Sequence, residues 1–403
     1  MPRTLETRFL TSRYARAGTR FRIYPQPSTL RGFRHPEIVY INAKPGTIRP
    51  GPADGRLYVV DALNKWSYAE VGGEPPYRGR SRRTVRPGAG GHFSHLQPGT
   101  RGFSSAMLFA TVRCVLDIWE LYFGRELFRH GPGRLELIPR VISGNAWSKP
   151  GFIECGFQDL EAAHPKPFAD NFDVVAHEMG HHIVHTVIGL PPAPKPLQYR
   201  ALDEGLADLI AIVSSLHSDA VVDRLLRSTR GNLFSRNTLS RMGELGQARQ
   251  IRKVFNEEKM STVKWDPIAD KYKYSLTEPF TGGAFDVLVE IYQRALIRRG
   301  VISKELGERS YVAVHREFSG IQRRFDRAFN GKRRAFTDAL LEARDYFGRL
   351  LARTLDRTAM MDPSYPAFVA NMLEADAQLS GGRHRQVIRE SFQWRKILPG
   401  RWE

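Results

Sequence analysis

The stretch FDVVAHEMGHHIVHTVIG, Phe172 to Gly189, constrains this chain more than any other. It sets His177, Glu178 and His181 in the spacing HExxH. On a helix of 3.6 residues per turn, residues four apart share a face. His177 and His181 can therefore present two imidazoles to one metal ion, with Glu178 one step round beside an open coordination position. Asp170 and Asn171 are both good N-caps, and Gly189 before PPAPKP stops the helix, so its bounds are predicted closely. The bland alternative is a helix that happens to carry several histidines, and the surrounding sequence must decide.

A hydrolytic zinc site usually takes three protein ligands and keeps a fourth position for water. His185 continues the series, but a helix rises about 6 Å over four residues, too far for three successive turns to reach one centre about 2 Å from each nitrogen. His182 and His185 are therefore read as bystanders, in packing or at the surface. A metzincin ligand set is excluded as well, since Val184 and Val187 stand where it needs glycine and histidine. The third ligand is expected on the next apolar segment, Ala201 to Ser218, which reads as a helix with Glu204 and Asp208 one turn apart. Carboxylates on so apolar a helix are costly to bury without a metal or a hydrogen-bonding partner. Glu204 completes the set in this reading, and Asp208 accepts the free ring N–H of His177, fixing its tautomer. Salt bridges to arginines are the alternative for both carboxylates.

The rest of the chain divides into three parts: a basic arm over 1–31, a sheet-rich lobe with one long helix over 32–170, and the metal helix with a helical lobe over 171–403. PEIVYINA and RLYVVDAL read as short strands between Gly and Pro punctuation. His92 and His95 sit in a Gly- and Pro-rich loop with no other ligand chemistry nearby. Phe103 to Glu126 reads as a buried helix starting at the serine pair Ser104 and Ser105 and stopping near Gly124. Two or three strands follow, the last at Gly151 to Phe157. An edge strand beside a metal cleft can bind an extended peptide through its main chain, with Asn145, Ala146 and Trp147 toward the substrate. From Val301 onward, alternating apolar and basic helical segments read as a surface layer over the metal helices.

Composition narrows the class. The 403 residues carry a net charge of +19, with a pI near 10.1, and 41% of them are hydrophobic. No apolar run approaches the roughly 20 residues of a membrane span. The arginine-rich start lacks the apolar segment of a secretory signal, and reads as a basic arm or a transit-like segment. Two cysteines, Cys114 and Cys155, make no disulfide framework and fit a reducing, cytoplasmic setting. The arginines are scattered apart from RGRSRR at Arg78 to Arg83, so nucleic acid or another anionic surface is a secondary partner.

DVVAHEMGH followed by DEGLADL resembles the thermolysin-like neutral metallopeptidases, zinc enzymes of the gluzincin type. NAW with its following strand is similar to that family's substrate-binding strand. NTLSRM resembles the segment carrying its oxyanion arginine, which points to Arg241. YSLTEPFTGGAFDVLVEIY is similar to the segment that supplies its transition-state histidine and next core helix, and SYPAFVANMLEADAQLSGGRHRQVIRESF to its final helices. The resemblance spans roughly Phe103 to Phe392. It implies a two-lobed α+β zincin, one zinc ion on His177, His181 and Glu204, a peptide or protein substrate, and Glu178 as general base.

Two departures carry consequences. Tyr274 stands where the family has its histidine, so either a phenol takes the place of the imidazole donor or that donor is absent. Ser215 stands where the family has a calcium-binding glutamate, so no family-type calcium site is expected and Asp173 is left as a helix-start carboxylate. The rival reading is a non-enzymatic basic protein that uses a zincin scaffold to engage nucleic acid or an anionic surface. That reading predicts binding that falls steeply with salt and does not depend on Glu178.

Overall fold

A computed structural model describes residues 18–128, 133–234, 256–263, 272–311 and 318–399. Strand β1 (Thr19–Ile23) pairs antiparallel with β2 (Glu37–Ile41), Phe21 lying opposite Val39. Residues 19–23, expected within a basic arm over 1–31, are thus a strand. TRFRI alternates, and its apolar residues turn inward: Phe21 is fully buried and stacks on Phe93 and Phe109, with ring centroids 4.9 and 5.8 Å away. Residues 1–17 lie outside the described residues.

Strands β3 (Leu57–Val59), β4 (Leu135–Ile138), β5 (Ala146–Lys149) and β6 (Phe152–Cys155) form a sheet in the order β3-β4-β6-β5. The first three run parallel and β5 is the antiparallel edge. Both central strands are buried throughout, yet each carries a glutamate. Glu136 accepts from the Tyr58 hydroxyl at 2.8 Å and the Tyr77 amide at 2.9 Å, and Glu154 accepts from Lys65 Nζ at 2.8 Å. Buried carboxylates are tolerated when satisfied in this way, and here they pin the segment bearing the short helix α1 (Tyr68–Val71) to the sheet.

Helix α2 (Arg101–Phe123) is apolar nearly all round and is correspondingly central, packed against β1 and against helices α3 (Phe172–Val187) and α9 (Arg333–Leu355). It starts earlier than its serine pair suggests. Thr100 is the N-cap, accepting from Phe103 N at 3.1 Å, while Ser104 and Ser105 are buried within the first turns. Gly124, in the left-handed region at φ 70°, closes its C-terminus.

The remaining helices are α3 (Phe172–Val187), α4 (Leu197–Ser215), α5 (Asp219–Thr229), α6 (Tyr272–Arg298), α7 (Lys304–Tyr311), α8 (Phe318–Phe329), α9 (Arg333–Leu355), α10 (Tyr365–Ser380) and α11 (Arg385–Trp394). Strands and helices together make the chain α+β. No single described helix is long and apolar enough to cross a membrane. α4 begins four residues before the expected Ala201, directly after Pro196, because a proline is tolerated immediately before a helix. α6 runs on through Pro279. Its middle packs closely: a Cβ at Gly283 would lie 2.8 Å from the Phe392 ring of α11. The expected surface layer also needs correction at α9, whose Arg344 and Asp345 are both fully buried.

One half-buried acid on α6 gives a measurable pH effect. Burial raises the Glu290 carboxyl; Arg294 opposes this, Asp286, Glu390 and Glu308 add to it, and the pKa reaches about 7. The folded state then holds this proton more tightly than the unfolded chain, so stability falls as pH rises from about 4.5 toward about 7. Glu290→Gln is expected to stabilise the protein at pH 8, by on the order of 2 kcal/mol, and to have little effect near pH 4. Urea unfolding at the two pH values measures the difference.

Candidate metal centre

The helix that carries the HExxH residues is set by local chemistry at both ends. The Asn171 side chain caps α3 by accepting from Asp173 N at 3.1 Å. Asp173 in the first turn is buried and accepts from Gln26 Nε2 at 2.7 Å. Past the C-terminus, Gly189 adopts φ 95°, and its carbonyl accepts from the Tyr199 hydroxyl of α4 at 2.6 Å. Glycines then decide how near the neighbouring helices come. A Cβ at Gly180, inside HEMGH, would fall 2.8 Å from Ala207 Cα, so α3 and α4 cross with backbones nearly touching. A Cβ at Gly205 would fall 2.8 Å from the Phe280 ring, so this glycine makes room for a side chain of α6 against α4.

This crossing places His177, His181 and Glu204 together, with one potential ligand atom from each within 4.8 Å of the others. His177 Nε2 lies 3.4 Å from Glu204 Oε2, and the rings of His177 and His181 stand nearly perpendicular at a centroid distance of 4.6 Å. The outer nitrogens face carboxylates: His177 Nδ1 is 2.8 Å from Asp208 Oδ1, and His181 Nδ1 is 2.9 Å from Asp203 Oδ1. Two imidazoles and a carboxylate, with each ring nitrogen that points away engaged by an acid, suit a divalent metal that accepts nitrogen and oxygen donors. Electrostatics agree. Burial pulls the His181 pKa down, but Asp203, then Glu204 and Glu178, outweigh it and raise the value to about 9, so the pocket favours positive charge at this ring. Burial likewise opposes ionisation of Asp203, while His181 and His185 hold it below the ordinary carboxylate range.

Glu178 is buried and lies toward the sheet, where its charge adds to burial in raising the Cys155 thiol of β6. His182 is buried as well. Its Nε2 donates to Phe152 O at 3.1 Å, tying α3 to β6, and burial lowers its pKa to about 4, so the ring is a neutral structural donor. His185, expected in packing or at the surface, is half-buried with Nε2 2.9 Å from Asp203 Oδ2. Asp203 is thus the neighbour of the cluster that sequence reasoning missed, and His185, read there as a bystander, touches it. The available signals were the acid directly before Glu204 and the histidine one turn beyond His181.

The sheet's edge strands are β3 and β5; Gly151 to Phe157, expected at an edge, holds β6, which is enclosed between β4 and β5. α3 packs against β5. Asn145 stands just before this strand with its Oδ1 accepting from Ala146 N at 2.9 Å; Ala146 is buried and Trp147 half-buried. Tyr274 occupies the first turn of α6 and is half-buried. One turn on, Thr277 donates to Ala201 O of α4 at 3.0 Å, which sets this end of α6 beside the start of α4. Arg241 lies outside the described residues. His92 accepts from Arg20 N at 3.1 Å, an ordinary loop contact.

No family model matches the sequence, and no curated protein matches it. Among solved structures the chain is similar to the precursor of protealysin, a metalloproteinase from Serratia proteamaculans. The TM-score is 0.52 and the sequence identity 12%, over 85% of this chain and 87% of that one. At this identity the likeness is one of fold. The chain therefore has the fold of a metalloproteinase precursor, with a cluster of two histidines and a glutamate where two of its helices cross.

Proposed function

We propose that this protein is a zinc-dependent endopeptidase. The observation that carries the reading is the convergence of His177, His181 and Glu204 from two helices, with Glu178 the next residue after His177 and a carboxylate behind each imidazole. The overall fold supports it. In this reading His177, His181 and Glu204 hold one zinc ion, and the cleft lies between a strand-rich and a helical lobe. When bound, zinc supplies Lewis acidity, polarising the scissile carbonyl and lowering the pKa of a water.

The chain's own residues do the rest. Glu178 takes the proton of the attacking water and passes it to the leaving nitrogen. Asp208 and Asp203 hold the His177 and His181 rings in one tautomer and orientation. The free edge of β5, with Asn145, Ala146 and Trp147, aligns an extended peptide through main-chain hydrogen bonds. Tyr274 and Arg241 are assigned as donors to the developing oxyanion.

Zinc content and hydrolysis of a quenched peptide, measured together, test this. Chelation is expected to abolish hydrolysis and added zinc to restore it. Asp208→Ala is expected to weaken zinc binding by roughly 10- to 100-fold, as loss of an outer carboxylate does, and Glu204→Ala by more. A Glu204→Ala variant that binds zinc as tightly as the parent would remove Glu204 from the ligand set.

A further inference from the structure

We propose that His185 is a positioning residue for the metal centre, acting through Asp203 on the His181 ring; the inference rests on the zinc reading above. Asp203 is engaged at both ends. Its Oδ1 lies 2.9 Å from His181 Nδ1 and its Oδ2 lies 2.9 Å from His185 Nε2. The two histidines are one turn apart on α3 while Asp203 comes from α4, so a single carboxylate spans a helix turn across the crossing. A carboxylate held by one oxygen can swing about its broad terminal torsion; held by both, it has one orientation. That orientation aims the His181 ring, which offers a potential ligand atom within 4.8 Å of those of His177 and Glu204.

His185 is itself held. Its ring lies alongside the Tyr199 ring at a centroid distance of 6.5 Å, and the Tyr199 hydroxyl donates to Gly189 O at 2.6 Å. The end of α3, the first turn of α4 and His185 therefore form one packed block behind Asp203. His181, His185 and Asp203 have potential ligand atoms within 4.8 Å of one another, the arrangement of a second cation site. Against that, both Asp203 oxygens already sit at hydrogen-bonding distance from ring nitrogens, and a cation there must displace the two ring protons. The clamp needs no further component.

The test uses the full chain loaded with zinc, in four forms: parent, His185→Ala, His185→Gln and His182→Ala. Zinc content, the rate of zinc transfer to an excess of chromophoric chelator, and the unfolding midpoint after chelation are measured for each. The parent is expected to hold one zinc ion. His185→Ala should release it faster by about 10- to 100-fold, the range for loss of an outer partner. His185→Gln, whose amide N–H can stand in for the Nε2 donor, should stay within about threefold of the parent. His182→Ala loses its bond to Phe152 O, so it should lower the unfolding midpoint and leave the release rate parental. Parental release from His185→Ala, or release from His185→Gln as fast as from His185→Ala, would overturn the proposal. Two ions in the parent and one in His185→Ala would make His185 a ligand and overturn it too. A parent that holds no zinc removes the zinc reading itself, and this inference with it.

Discussion

Glu178→Gln is expected to keep its zinc and its unfolding midpoint while losing peptide hydrolysis by about 10²- to 10⁴-fold, the usual worth of a positioned general base. The reason is specific to the site. The substitution preserves the volume of a buried side chain and leaves His177, His181 and Glu204 unchanged, so only the ability to accept a proton is removed. Turnover should fall more than the apparent affinity for substrate, because the proton is moved in the transition state and not on binding. Parent and variant compared at equal zinc content, by single-turnover cleavage of a peptide library, give the answer. Equal rates would sink the assignment of Glu178.

Arg344→Met is expected to cost about 3 to 5 kcal/mol in denaturant unfolding, as breaking a buried ion pair does. Arg344 and Asp345 are both fully buried on α9, with Arg344 Nε 2.7 Å from Asp345 Oδ1. The guanidinium also donates to Leu216 O at 3.1 Å, directly beyond the end of α4. Tyr122 of α2 joins the same network, donating to Asp345 Oδ1 at 3.2 Å and lying 2.8 Å from His217 Nε2. Removing the arginine therefore leaves a buried carboxylate without its cation and loosens the far end of the helix that carries Asp203, Glu204 and Asp208. A loss below about 1 kcal/mol would show that the junction is hydrated or otherwise satisfied.

What could be read in the sequence was whatever local spacing determines. The cap at Asn171, the stop at Gly189 and the shared face of His177 and His181 depend on helical periodicity within one segment. Glu204 and Asp208 stood out because two carboxylates one turn apart on an apolar helix require partners. What could not be read depends on how segments meet. Asp203 gains its role from the depth of the crossing at Gly180, which brings it between His181 and His185. β1 was hidden because Arg20 and Arg22 gave TRFRI the look of a basic arm, although its alternate residues are buried. The edge position of β5 follows from the return of β6 alongside β4, a pairing that neither strand's composition specifies. Arg344 and Asp345 looked like part of a solvated basic helix because their partners come from α2 and the end of α4.

The most direct measurement is zinc-edge X-ray absorption on the zinc-loaded protein. One zinc ion is expected, with two imidazole nitrogens and a carboxylate oxygen at about 2.0 to 2.2 Å, a further light atom from solvent and no sulfur, and the carboxylate contribution should be lost in Glu204→Ala. A spectrum with sulfur ligands, with four protein ligands closing the site, or unchanged by Glu204→Ala would contradict this.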